Sequence, residues 1–409
     1  MEYISRHMEE RIVALSKNYS AILLTGPRQS GKTTMLRKLA EKEGIGRRYV
    51  TLDDLPERDM AKNDPALFLQ LHQPPVLIDE VQYAPELFTY IKIHIDTYHN
   101  PGDFWLTGSQ IFRLMQGVQE SLAGRVALLH MSPLSQREII GAPCAPFTTD
   151  LPRLITEQEK FQPVTTPELF ARLWHGSMPG LVSGQHPDRN IFYSSYLSTY
   201  VERDVRELSG SIDALKFNRF VTAVAARCSQ LLNYAALAED ADIDVQIAKA
   251  WINILETLGI IFLLHPYSNN VLKRTIKTPK VYFYDTGLVC YLTRWSSPEV
   301  AESGAMNGAL LENFAVSEIV KGYQNAGLEP YLYFYRDRDA KEIDVILEGD
   351  GKLCPLEIKK TALPDKRLTR VFHVIDKSPL QIGTGAVLCM ADHFSAFDSN
   401  NLIVPIWMI

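Results

Sequence analysis

The chain has 409 residues, of which 46% are hydrophobic and 22% charged, enough for roughly two to three globular domains with sizeable cores. Its formal net charge of −6 excludes a global basic field that would draw it onto nucleic acid, so any such contact needs a local patch. Apolar runs such as Ile260-Ile261-Phe262-Leu263-Leu264 stop far short of the ~20 residues that cross a bilayer, and no membrane-spanning helix is expected.

In chain order, Met1 to Arg11 is charged and lacks the apolar stretch of a signal peptide, which predicts a cytoplasmic protein. The strand-like run Ala21-Ile22-Leu23-Leu24 leads into Gly-Pro-Arg-Gln-Ser-Gly-Lys-Thr at 26–33, and a helical pattern follows from Thr34 to Ala40. Strand, glycine-rich loop and helix in this order form a phosphate cradle. Gly26 and Gly31 permit tight turns that aim backbone amides at phosphate oxygens. Lys32 reaches the β- and γ-phosphates, and Thr33 sets a hydroxyl on Mg²⁺. The helix start adds favourable partial charge. Gly26, Pro27, Arg28, Gln29, Ser30, Gly31, Lys32, Thr33 and Thr34 are therefore the nucleotide-binding candidates, with ATP and Mg²⁺ as the expected ligands.

Alternating strand and helix patterns continue. Strands are predicted at 48–52, 76–80, 103–107 and 126–130, and a helix begins at Asp64-Pro65. This is the signature of an α/β protein with a parallel sheet and sites at the strand C-termini. Val76-Leu77-Ile78 ends in Asp79-Glu80. Asp79 can hold Mg²⁺, and Glu80 can polarise the attacking water. At the end of the next strand, Ser109 is the first choice to sense the γ-phosphate, with Thr107 second. Arg125 reads either as an arginine finger offered to a neighbouring subunit, which would require a homo-oligomer, or as a surface ion-pair partner.

The stretches GPRQSGKTT, VLIDEVQ, LTGSQ, SLAGRV and SPLSQRE resemble an AAA+-type ATPase of the additional-strand class, within a prokaryotic family of mostly uncharacterised members. Segments 200–205 (YVERDV) and 277–288 (KTPKVYFYDTGL) extend the resemblance over nearly the whole chain. It implies ATP and Mg²⁺ binding, and an extra strand between the strand of the phosphate loop and the strand ending in Asp79.

The ATPase region is taken as 1–160 and a middle region as 161–298. Helices are expected at 167–174 and 188–208, the second carrying a charge run. That run is a solvated face, or else Arg203 or Arg206 reaches a nucleotide. A short helix at 233–239 precedes a longer one whose apolar stripe is Ile243, Ile247, Trp251, Ile254, Leu255 and Leu258. Strands at 260–264 and 281–284 flank a loop with Lys273, Arg274, Lys277 and Lys280. Helix–turn–helix plus wing resembles a winged-helix module. Acidic residues around Lys249 argue against base readout, whereas the wing cations could meet DNA or RNA phosphates. Packing against neighbouring domains is the alternative.

The last region, 299–409, opens with a helix at 308–323 whose apolar stripe leaves Glu312 and Glu318 to one side. Strands follow at 331–335, 342–347 and 353–359. Side-chain alternation lets the hairpin gather Asp344, Glu357 and Lys359. This constellation resembles the PD-(D/E)XK nuclease fold. The resemblance implies Asp344, Glu357 and the helix acid Glu312 as metal ligands, with Lys359 as the catalytic lysine. Ile343 replaces the proline of that pattern. The five cysteines are scattered without a CxxC pair and read as free thiols. The expected function is an Mg²⁺-dependent ATPase that couples nucleotide state to a nuclease-like domain. The alternative is an ATP-controlled switch whose distal domains bind protein or DNA without cleaving anything.

Overall fold

A computed structural model of the chain describes residues 3–108, 122–201, 205, 213–268, 278–337, 339, 341–376 and 378–409. Helix α1 (Met8–Ser16) precedes β1 (Ala21–Thr25), and α2 (Lys32–Glu43) follows the phosphate loop. The chain continues through β2 (Arg48–Thr51), α3 (Leu55–Asn63), α4 (Pro65–Leu71), β3 (Val76–Asp79), α5 (Leu87–Tyr98), β4 (Phe104–Thr107) and β5 (Val126–His130). Strands β1, β3 and β4 are buried along their whole length. Such continuous apolar runs suit a parallel sheet covered on both faces. Alternate residues feed two separate cores: Leu23, Ile78 and Leu106 on one face, Ile22, Leu24, Leu77 and Trp105 on the other.

The strand order is β2-β3-β4-β1-β5, all parallel. β4 therefore separates the phosphate-loop strand from the Asp79 strand, as the additional-strand resemblance implied. Asp64 caps α4 by accepting a hydrogen bond from the Leu67 amide. Helices α1, α3 and α5 were not anticipated.

Beyond β5, the short α6 (Gln136–Ile139) starts with a capping box in which Ser135 and Glu138 satisfy each other's backbone amides. The middle region contains α7 (Thr166–His175), α8 (Ala214–Ala226), α9 (Tyr234–Ala241) and α10 (Val245–Thr257), then an antiparallel pair, β6 (Ile261–Leu264) and β7 (Lys280–Phe283). The stripe of α10 differs from expectation. Its buried residues are Ala248, Trp251, Ile252 and Leu255, while Ile247 is exposed. Asp242 takes a left-handed turn (φ 54°) and the helix starts only at Val245. The face it turns inward is the one that meets Phe217 and Phe220 of α8, both ring-edge to Trp251 at 5.2 Å.

The C-terminal region is led by α11 (Asn307–Asn325). Its sheet runs β13-β14-β12-β10-β9-β8, with β11 beside β10. The strands are β8 (Leu332–Arg336), β9 (Glu342–Gly349), β10 (Lys352–Lys359), β11 (Gln381–Ile382), β12 (Gly385–Cys389), β13 (Ser395–Asp398) and β14 (Asn401–Pro405). β9 and β10 pair antiparallel, whereas β12 and β14 continue the sheet in parallel with β10. Glu318 was expected off the apolar stripe. It is instead buried, as are Asn313, Ser317 and Lys321. α11 lies inside the molecule, and the side chains of these four residues each find a hydrogen-bond partner. One continuous core runs from Ala142 to Ile409, joining Phe217 and Trp251 of the middle region to Phe314, Val345 and Leu388. Replacing Trp251, about 5% exposed, by alanine removes the centre of its aromatic cluster. The expected cost is about 3–5 kcal/mol, read as a lower urea midpoint, with the middle and C-terminal regions unfolding together.

Candidate active site

The phosphate loop is held against the sheet by its first glycine. Gly26 has φ 141°, and a Cβ there would lie 2.1 Å from the Met131 carbonyl oxygen. Gly31 is left-handed (φ 91°) and opens α2. The Lys32 ammonium sits at the loop mouth, donating to the carbonyls of Gly26 (2.9 Å) and Pro27 (2.8 Å). Ser30 Oγ also donates to the Pro27 carbonyl, at 2.8 Å.

Asp79 is the hub of the strand tips. It accepts from Thr33 Oγ1 at 2.7 Å, from Thr107 Oγ1 in a short contact, and from the Tyr49 hydroxyl at 3.3 Å. Thr107 Oγ1 also accepts from the Glu80 amide at 3.2 Å, and Gln82 donates to the Glu80 carboxylate. Glu80 is left-handed (φ 56°), which turns the chain directly after Asp79. Thr33 and Asp79 thus touch, and two hard oxygen donors meet beside the loop as an Mg²⁺ site needs. Asp53 joins the same group: burial, then the charges of Glu80 and Asp79, push its carboxyl up. At the end of β5, burial and then the Lys32 charge press the His130 imidazole down to about 4, so it is neutral.

A cavity of about 420 Å³ adjoins the loop, lined by Tyr3, Ile4, Gly31, Pro179, His186 and Phe192 among others. Its walls come from the chain before α1, from the loop and from the middle region. Next to it, the buried Arg6 binds three acceptors. It donates to Ser30 O (2.7 Å) in the loop, to Ser132 O (2.8 Å) and to Glu138 Oε1 (2.8 Å). Burial alone would raise the Glu138 carboxyl. The Arg6 charge and hydrogen bond and the Ser135 amide outweigh it and hold the carboxyl low. From the middle region, Gly259 approaches the loop from the other side. A Cβ on it would stand 3.0 Å from Pro27 Cδ.

The C-terminal cluster assembles as well. Lys359 Nζ lies 2.7 Å from Glu357 Oε1 and 3.6 Å from Asp344 Oδ2. Asp344 Oδ2 also accepts from the Ile358 amide at 2.8 Å. Glu357 is raised to about 7 by burial first and by the Asp344 charge, with Lys359 opposing. Its Oε2 is buried without a hydrogen-bond partner. The Glu312 carboxylate is already engaged, accepting from Lys280 Nζ (3.0 Å) and the Tyr282 hydroxyl (2.6 Å). Among the described residues, no group of three or more His, Cys, Asp or Glu is arranged to hold a metal ion.

Lys280 corrects an expectation. It is not a solvent-facing wing cation. It is buried and bridges Glu312 and, at 2.6 Å, Glu342. Burial would lower its ammonium, but the Glu312, Asp344 and Glu342 charges raise it. Lys273, Arg274, Lys277, Arg203, Arg206 and Ser109 lie outside the described residues. Arg125 pairs with Asp96 through two contacts of 2.6 and 3.0 Å on the surface. Sequence reasoning missed Arg6, Tyr49 and Gln82. Gln82 stood in the quoted VLIDEVQ segment, two positions past Glu80. Arg6 had no local signal, because its partners lie 24 to 132 positions away.

Residues 18–140 match the family described as AAA domain. Residues 166–299 and 307–409 match two domains of unknown function, DUF8612 and DUF4143. The uncharacterized protein Rv2008c of Mycobacterium tuberculosis and Mb2031c of Mycobacterium bovis are each 29% identical over 388 residues, covering 94% of this chain and 79% of theirs. Among solved structures, the Walker-type ATPase PABY2304 of Pyrococcus abyssi is similar with TM-score 0.45 and 16% identity, over 71% of this chain and 96% of that one. DnaA from Aquifex aeolicus, bound to AMPPCP, gives TM-score 0.28 and 14% identity over 61% of this chain and 85% of that one. The N-terminal region, with its glycine-rich loop on a five-stranded parallel sheet, is thus similar to an AAA domain. Among the described residues, no helix is long and apolar enough to cross a membrane. Gly26→Ala would drive a methyl into the Met131 carbonyl. We expect loss of nucleotide uptake in calorimetric titration, with far-ultraviolet circular dichroism unchanged.

Proposed function

We propose that this protein binds Mg²⁺-ATP at the phosphate loop, hydrolyses it, and passes the nucleotide state to its middle and C-terminal regions. The observation that carries this reading is the meeting of Lys32, Thr33, Asp79, Thr107 and Glu80 around the loop mouth. Loop amides from Gly26 to Thr34 would cradle the phosphates, and the cavity beside Gly31 would take the nucleoside, with Tyr3, His186 and Phe192 offering ring faces. Lys32 exchanges its loop carbonyls for β- and γ-phosphate oxygens. Thr33 and Asp79 supply donors for Mg²⁺, which neutralises phosphate charge. Glu80, turned by its left-handed backbone and tied to Gln82, takes the proton of the attacking water. The water oxygen bonds to the γ-phosphorus as the bond to the β–γ bridging oxygen breaks, leaving ADP and phosphate.

A second reading concerns Asp344, Glu357 and Lys359. The unpartnered Glu357 Oε2 beside Asp344 supports a cation site acting on a nucleic-acid phosphodiester. Asp344 and Glu357 would hold the ion, and Lys359 would orient the water. The engagement of Glu312 by Lys280 and Tyr282 leaves that site short of a third acid and favours a binding module over a cutting one.

Lys32→Ala is expected to abolish measurable ATP binding in calorimetry. Glu80→Gln should keep binding and lower the hydrolysis rate about 10²–10⁴-fold; an unchanged rate would remove Glu80 as the base. Asp344→Asn should leave ATP hydrolysis intact. If purified protein cuts DNA or RNA with Mg²⁺ or Mn²⁺, that activity should disappear in the same variant.

A further inference from the structure

We propose that Arg6 is a positioning residue of the phosphate loop and that the buried Glu318–Lys321 pair on α11 sets it, so that the C-terminal region governs how tightly nucleotide is held. This rests on the ATP-site reading above. The connection is continuous and hydrogen-bonded. Lys321, about 2% exposed, donates to Glu318 Oε1 (2.8 Å), to the Leu134 carbonyl (3.1 Å) and to Ser177 Oγ (3.2 Å). Glu318 Oε2 accepts the Gln136 amide at 2.7 Å. Residues 134–136 are thereby fastened to α11, and Ser135 is locked to Glu138 by the capping box. Glu138 Oε1 accepts from Arg6 Nε, and the same guanidinium grips Ser30 O inside the loop. Arg6 has no slack, since its remaining nitrogen holds Ser132 O.

Stability alone is a poor reason for this arrangement. Two buried ion pairs in series carry a desolvation cost that apolar packing would avoid, and buried pairs are weak evidence of net stabilisation. Their geometry does fix the register of one segment against another. The same helix carries Glu312 at the acidic cluster, nine residues before Lys321, about 14 Å away at 1.5 Å per residue. A single rigid element therefore touches both the acidic cluster and the segment that holds the phosphate loop.

The test uses the full chain, titrated with a fluorescent ATP analogue and assayed for steady-state hydrolysis. Lys321→Met is expected to weaken nucleotide binding about tenfold, within the 5–150-fold range of site-to-site couplings. The loss should fall on Kd and KM, with kcat much less affected. Lys321→Arg should restore binding, because it keeps the charge. Arg6→Lys should weaken binding too, since one nitrogen replaces the three, Nε, Nη1 and Nη2, that each reach a different acceptor. Val404→Ala, in the C-terminal sheet, should lower the melting temperature while leaving Kd and KM unchanged. If Lys321→Met does not fold, the isosteric Glu318→Gln should show the same loss. A folded Lys321→Met or Glu318→Gln protein that binds the analogue as the wild type does overturns the proposal. Should wild type bind and Lys32→Ala abolish binding while the α11 variants stay normal, the relay alone fails. Should wild type take up no nucleotide, the ATP-site reading fails, and this inference with it.

Discussion

The N-terminal region depends on one carboxylate being satisfied from three directions. Asp79 receives hydroxyls from α2, from β4 and from β2, through Thr33, Thr107 and Tyr49. Those hydroxyls can converge only because β4 lies between β1 and β3 in the sheet. Without that inserted strand, Thr107 would not reach both Asp79 and the Glu80 amide. Topology thus decides which side chains share the site, and local sequence supplies the chemistry at each tip. Hydrogen bonds to an ionised carboxylate are stronger than neutral ones. The cluster therefore ties α2, β2 and β4 to the tip of β3.

Polar burial follows a different logic in α11. A helix that carries Asn313, Ser317, Glu318 and Lys321 in its buried face must match each group or lose stability. Asn313 pairs with both backbone groups of Phe283, and Ser317 returns its hydroxyl to Phe314. Glu318 and Lys321 satisfy each other and reach outward to residues 134–136 and Ser177. These pairings prescribe where the helix stands against the chain that follows β5, which apolar contacts alone would leave free to slide.

What the sequence revealed divides along the same line. The phosphate loop, the Asp79-Glu80 tip and the Asp344–Glu357–Lys359 hairpin were legible because each is local. A spacing of a few residues on one strand or turn carries the whole message. The stripe of α10 was legible at Trp251, Leu255 and Leu258 but wrong at Ile247, because packing on Phe217 and Phe220 turned Ala248 and Ile252 inward instead. Lys280 looked like a wing cation because its acids, Glu312 and Glu342, lie 32 and 62 positions away. The burial of Glu318 was not legible, because an amphipathic pattern says nothing of a partner 182 residues upstream. β12 and β14 were not anticipated, although they extend the sheet in parallel with β10. Charge and burial conflict in such places, and only the fold resolves them.

The unbroken core from Ala142 to Ile409 has a mechanical consequence. Among the described residues, the regions that match two separate domain families share this core. That core is separate from the two cores of the five-stranded sheet. At the junction between them Gly259 abuts Pro27 and Arg6 clasps Ser30. At that junction the glycine-rich turn is gripped from both sides, so its backbone takes its position from residues far away in the chain.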